Sequence, residues 1–213
     1  MCIKSQSLLY PLRLGDEVNF RLTYDGPLKA ASQSETRRAD KHRMRCVFSR
    51  QLGKLFSHRS VLGEMASDQR VNETLRLITE KYKRGQFGCL PIVREDLHLV
   101  CDLDILFLRR ENPGSLISSG GDLDNRLKVL FDALRIPHDE NEVRGLDAAP
   151  EKGPLLFCLT EDDKLITGFR CITDRLLEPA NSESEENHVR LVINVEVKAT
   201  KLTTENMGYF SHF

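Results

Sequence analysis

A mixed β-sheet covered by helices, in the α+β class, is the architecture the sequence predicts, and three observations carry that expectation. Segments with 3.6-residue apolar periodicity and segments of alternating or β-branched apolar residues follow one another without regular βα alternation. The 213 residues, 40% of them hydrophobic, suffice to bury a core as one domain. No apolar run approaches the roughly 18 residues of a membrane span, and the N-terminus lacks the pattern of a signal peptide, so a cytoplasmic setting is expected.

The first element is "EVNFRLTYDG", whose alternation and closing turn signal imply an edge or first strand. "DGPLKAASQSETRRAD" has the composition of a loop. From Lys41 to Phe56, residues Met44, Val47, Phe48, Leu52, Leu55 and Phe56 fall on one helical stripe, with a basic opposite face. A second helix near 68–84 turns Val71, Leu75, Ile78 and Tyr82 inward and stops at Gly85. "GCLPIV" and "LHLVCDLDILFLRR" read as two strands joined at "REDL". "GGDLDNRLKVLFDAL" is an amphipathic helix, because Leu123, Leu127, Leu130, Phe131 and Leu134 form one stripe. A polar inserted loop follows near 137–154. The segments "LLFCL", "LITGFRCITDRLL" and "HVRLVINVEVK" are strands, the last strongly β-branched, and the polar loop near 178–187 separates the final two. The tail from Lys201 to Phe213 carries no clear signal.

The six cysteines are scattered without a CxxC pair, mostly among apolar neighbours, which implies reduced thiols in a reducing interior and no zinc site. Net charge is only -1, yet it is unevenly spread. Residues 1 to 110 hold 20 Lys and Arg against 13 Asp and Glu, and the remainder 11 against 19. Such asymmetry fits one surface that holds a polyanion and another that gathers carboxylates for cations; the alternative is mutual neutralisation across ordinary solvated faces. The stretch "TRRADKHRMRCVFSRQLGKLFSHR" concentrates the positive charge. Arg37, Arg38, Lys41, Arg43 and Arg45 are its candidate phosphate contacts, and a solvated helix face is the competing reading. His42 and His58 flank this helix and are read as surface residues, not catalytic bases.

Why a helix should begin with Asp122 and Asp124 around a leucine is the central question. Successive helical residues turn about 100°, so two helical aspartates would point roughly 200° apart. Convergence on one ligand requires Asp122 to lie before the first turn, which the "SSGG" run allows. Lys128 then sits one turn beyond Asp124. A plain N-cap with dipole-favouring acids explains the same letters without any ligand. "LTEDDKLI" places Asp162 and Asp163 in a turn at the head of a strand.

The pairing of DLDN-x-x-K-x-x-x-DAL with a later DD resembles the RusA family of Holliday-junction resolvases, magnesium-dependent nucleases that cut four-way DNA junctions. The resemblance is strongest from Gly121 to Ile166. It implies that Asp122, Asp124 and Asp163 are metal ligands and that Lys128 is the catalytic or phosphate-contacting lysine, with Asp162 beside Asp163 as a candidate additional acid. It also implies Mg2+, with Mn2+ as a substitute, branched DNA as substrate and a homodimer that cuts a symmetric junction at two opposed sites. A catalytically inactive nucleic-acid-binding or interaction module on the same fold is the alternative. The loop motif "HDENEV" offers Asp139 or Glu140 as a competing third acid, nearer the family spacing; Asp163 is favoured because "DDKLI" leads directly into a strand.

Chemistry gives such a cluster its own reason for a cation. Two carboxylates about 4 Å apart repel by roughly 4 kcal/mol at an effective dielectric near 20, and all-oxygen ligands favour Mg2+ or Mn2+ over zinc. A second DLD, in "CDLDILF", sets Asp102 and Asp104 on one face of a strand with Val100, Leu106 and Leu108. Outer-shell charge for the same site or an ion-paired strand end are its two readings.

Overall fold

The computed structural model describes residues 17–28, 34–58, 69–110, 122–146, 155–177 and 187–210. The elements are strand β1 (Glu17–Pro27), helix α1 (Ser34–His58), helix α2 (Gln69–Lys81), strands β2 (Gly88–Val93) and β3 (Leu99–Arg109), helix α3 (Asp122–Leu134), strands β4 (Leu155–Thr160), β5 (Ile166–Arg175) and β6 (His188–Ala199), and helix α4 (Thr204–Phe210). One sheet has the order β1-β6-β3-β5; β2 and β4 form a second, two-stranded sheet. β6 runs antiparallel to both β1 and β3, whereas β3 and β5 are parallel, so the main sheet is mixed as expected.

Alternation decides the faces of that sheet. Cys101, Leu103, Ile105 and Phe107 of β3, with Val189, Leu191, Ile193, Val195 and Val197 of β6, point to the core, and their neighbours in sequence point away. Met44, Phe48 and Leu52 of α1 and Leu127, Leu130 and Leu134 of α3 fill the space above. β2 and β4 are buried on both faces, which is why "GCLPIV" and "LLFCL" are unbroken apolar runs. One side of that pair meets a second cluster of Tyr82, Phe87, Cys89, Ile136, Val143, Leu156 and Cys158.

β2 and β3 are joined at "REDL" as expected, through a 3-10 turn at Glu95–Leu97, and the partner of β2 is β4. Several expectations need correction. α1 begins at Ser34, inside the stretch read as loop, because "SETRRAD" continues helically into the apolar stripe. α2 ends at Lys81, and Gly85 lies four residues on, at φ +56, inside the turn closed by the Arg84–Phe87 bridge. The tail has a helix, and its signal was present in the sequence. Thr203 N donates to Asn206 Oδ1 at 2.8 Å while Asn206 N donates to Thr203 Oγ1 at 3.3 Å, a reciprocal capping box with asparagine in the place of glutamate. The expected polar loop near 178–187 falls outside the described residues except for Asn187, as does the second half of the inserted loop. Among the described residues no helix is long and apolar enough to cross a membrane.

Candidate metal and nucleic-acid site

α3 does begin at Asp122, with the apolar stripe of Leu127, Leu130 and Leu134 buried against the sheet. Contacts at both ends set its direction. Arg126, 3% exposed, donates to the carbonyl of Leu28 at the end of β1 and, at 3.1 Å, to Asn187 Oδ1 just before β6. At the other end Ile136 N donates to Thr160 O at 3.0 Å, and Phe131 meets Phe169 of β5 edge-on at 5.2 Å. Nothing in the letters singles out Arg126, although it is the residue that pins the DLDN end of the helix to the sheet.

Asp124 and Lys128 are exposed on successive turns of α3. The side chain of Asp122 lies outside the described residues. The 3-10 turn Asp163–Leu165 leads straight into β5 at Ile166, and it packs against α3. It does so beside the C-terminal end of the helix, where Thr160 bridges Arg135 and the Arg135 charge reaches Asp162. Eleven residues separate Asp124 from Arg135, roughly 16 Å of helix at 1.5 Å per residue. Oxygens bound to one Mg2+ at about 2.1 Å lie within about 4 Å of each other. Asp163 is therefore not brought into the coordination sphere of an ion at Asp124 in this arrangement. Among the described residues no three acidic, histidine or cysteine side chains form a metal-binding group.

The neighbouring acids are occupied by local structure. Asp162 is the N-cap of the 163–165 turn and accepts from Lys164 N at 3.0 Å, a bond that holds its carboxyl below the ordinary value. Asp139 caps the 3-10 turn Glu140–Glu142, accepting from Asn141 N at 2.8 Å and Glu142 N at 3.2 Å. Desolvation acts to raise its carboxyl, but these backbone donors outweigh it and the net shift is downward. Asp163 is exposed and not used as a cap. Glu140 pairs with Arg144 at 3.3 Å on the surface.

The strand pair has a simpler explanation than an outer shell. Asp102 takes Lys198 Nζ at 2.9 Å and Thr167 Oγ1 at 2.7 Å, and it lies on the sheet face turned away from the core beside Gly168. A Cβ at Gly168 would stand 3.1 Å from its Oδ1. The Lys198 and Thr167 hydrogen bonds hold the Asp102 carboxyl down. Asp104 is exposed on the same face.

The basic helix is the largest departure from expectation. Arg45 is 1% exposed; one guanidinium nitrogen donates to Asp132 O at 2.8 Å and Glu142 Oε2 at 3.1 Å. Lys41 lies 3.4 Å from Asp132 and 3.5 Å from Glu142, with 11% of its side chain exposed. Both residues face α3 and not solvent, so their assignment as phosphate contacts is corrected: their charges are consumed by acids some 90 residues further along the chain. Arg38 is half-buried and donates to Asn141 O at 3.3 Å. Arg43 remains at the surface, 49% exposed, bonded to Asp40 at 2.8 Å. The side chains of Arg37 and His58 lie outside the described residues. His42 is not at the surface; it is 7% exposed and packs 5.4 Å from Phe87.

Among the described residues Cys46, Cys89, Cys101, Cys158 and Cys171 are free thiols, and Cys89, Cys101 and Cys158 are buried. Burial pushes Cys101 up to about 12 and Cys171 up to about 11, so both thiols stay protonated at neutral pH.

Fold and side-chain arrangement together define the chain as an α+β protein with a mixed sheet and an acidic helix start at its rim. No family model, curated protein or solved structure matches it.

Proposed function

We propose that the protein is a Mg2+-dependent, structure-selective DNA endonuclease of RusA-like type, acting as a cytoplasmic homodimer on branched DNA. The observation that carries this reading is Asp124 and Lys128, exposed one turn apart at the start of a helix whose other face is held in the core. Asp122 and Asp124 would hold the ion; their hard carboxylate oxygens suit Mg2+ or Mn2+. When bound, such an ion supplies an activated water and charge stabilisation at the phosphate. Lys128 reaches the same phosphate as a point charge, and Arg126 keeps the helix start in place. Asp163, the third acid that the RusA resemblance implies, sits at the far end of α3, and this distance makes it the sharpest test. Asp122→Asn combined with Asp124→Asn should abolish Mn2+ binding and cleavage of a branched-substrate panel without unfolding the chain. Asp163→Asn should cost orders of magnitude if the family arrangement forms on DNA; cleavage by it at the parent rate would leave the ion to the helix start alone. Parental cleavage by the double variant would sink the nuclease reading.

The separation of Asp124 from the 163–165 turn favours one second reading, a nucleic-acid-binding or interaction module that keeps the fold without turnover. Retained binding to branched DNA with no cleavage in either metal would select it.

A further inference from the structure

β5 ends the main sheet on the side away from β1, and among the described residues nothing pairs with its outer edge. Side chains on both faces of the strand reach solvent along its length. Phe169 is 56% and Ile172 42% exposed, among the few large apolar side chains that are. They occupy opposite faces: Phe169 rests against Phe131 of α3, and Ile172 stands beside Leu106 on the face turned away from α3. A ten-residue edge with exposed apolar groups and no proline has only the charges of Arg170, Asp174 and Arg175 to guard it against pairing.

Its charges indicate what it pairs with. Arg170, Ile172 and Asp174 alternate on one face. Among the described residues no ion pair within the chain engages Arg170 or Asp174. We propose that β5 pairs antiparallel with β5 of a second copy about a two-fold axis at Ile172, joining two main sheets into one. In this register Arg170 stands opposite the partner's Asp174, Asp174 opposite the partner's Arg170, and Ile172 opposite the partner's Ile172. On the other face Phe169 meets the partner's Arg175. Directly opposed residues share a face, so only registers centred on a residue keep the core-facing positions together. A centre at Arg170 opposes two arginines, one at Cys171 sets Arg170 against isoleucine and Asp174 against glycine, and one at Thr173 sets Asp174 against isoleucine. The Ile172 centre alone satisfies every charge of the Arg-Ile-Asp face. The Arg-Ile-Asp face reads as its own complement under two-fold rotation, which is what self-pairing requires.

The pairing shares its two-fold symmetry with the function proposed above but none of its chemistry, and its test reads assembly, not cleavage. Sedimentation of the full chain should show a reversible monomer–dimer equilibrium. Arg170→Asp or Asp174→Arg alone places like charges face to face twice per dimer and should weaken dimerisation at least about tenfold. The double variant, Arg170→Asp with Asp174→Arg, should restore it. An equimolar mixture of the two single variants should also dimerise, since each supplies the charge the other needs. Circular dichroism separates loss of assembly from loss of fold, and rescue by mixing cannot arise from unfolded chains. A parent chain that stays monomeric to its solubility limit, single variants as dimeric as the parent, or a double variant that fails to recover while folded would each overturn the pairing.

Discussion

Asp102 and Lys198 show how one cross-strand pair makes stability depend on pH at both extremes. Their 2.9 Å bond lowers the carboxyl and, with Glu196 at 3.0 Å from the same ammonium, raises the lysine. A lowered carboxyl contributes stability above its unfolded value near 3.9, and that contribution is lost as pH falls through the folded value. A raised lysine contributes stability below about 10.4, lost as pH climbs through its folded value. Both side chains are more than a third exposed, so the pair is worth at most about 1 kcal/mol and weakens with salt. Asp102→Asn should therefore lower Tm slightly and uniformly between about pH 5 and 9, with the gap closing below about pH 3. Thermal melts of parent and variant across that range check it; a gap that persists undiminished at pH 2 would place the effect in packing against Gly168 and not in charge.

Between elements, the decisive contact is the charge cluster that locks α1 onto α3. Arg45 and Lys41 come from α1, Asp132 from α3 and Arg135 from the residue just beyond it, while Glu142 comes from the 140–142 turn; Arg135 binds Asp132 at 3.0 Å and Glu142 at 3.2 Å. Three cations share two anions, and Arg45 Nε and Nη1 are left without a hydrogen-bond partner. Removing one anion from so shielded a cluster costs more than an exposed pair would, because the remaining cations keep their desolvation penalty. Glu142→Gln should lower unfolding free energy by about 3 kcal/mol with an unchanged denaturant slope in urea titrations; a loss under about 1 kcal/mol would mean that water screens the cluster. This cluster also marks where the sequence stops being legible. Periodicity located every strand and the stripes of α1, α2 and α3, because burial on one face writes itself into spacing. It gave no partner for β2, since a strand buried on both faces carries no face signal. The inward turn of Lys41 and Arg45 was equally hidden, as their acids lie some 90 residues away. The helix start at Asp122 was legible from its cap-like letters. Which end of α3 the 163–165 turn would meet was not, because that depends on how β4 returns through the fold.

Across the whole molecule the excess of basic charge in the first 110 residues meets the acidic excess of the rest partly inside the protein, through the α1–α3 cluster. The asymmetry is thus not a measure of how much cationic surface is offered to a polyanion. Arg43 and Lys128 remain at the surface, whereas Lys41 and Arg45 do not. If nucleic acid is held through surface cations, each lost phosphate contact flattens the slope of log affinity against log salt by roughly 0.9 on duplex DNA, whatever its sequence. Arg43→Ala with Lys128→Ala should then flatten that slope by up to about 1.8 and leave thermal stability near the parent value. Arg45→Ala should do the opposite, lowering stability by about 3 kcal/mol through the lost buried bonds to the Asp132 carbonyl and the Glu142 carboxylate, while the folded fraction binds with the parental slope. Anisotropy titrations of a labelled branched duplex at several salt concentrations, paired with urea unfolding of each variant, measure both quantities. A slope that flattens for Arg45→Ala and not for the surface pair would show that the α1–α3 cluster opens to grip DNA, and the division between structural and binding cations drawn from burial would fall.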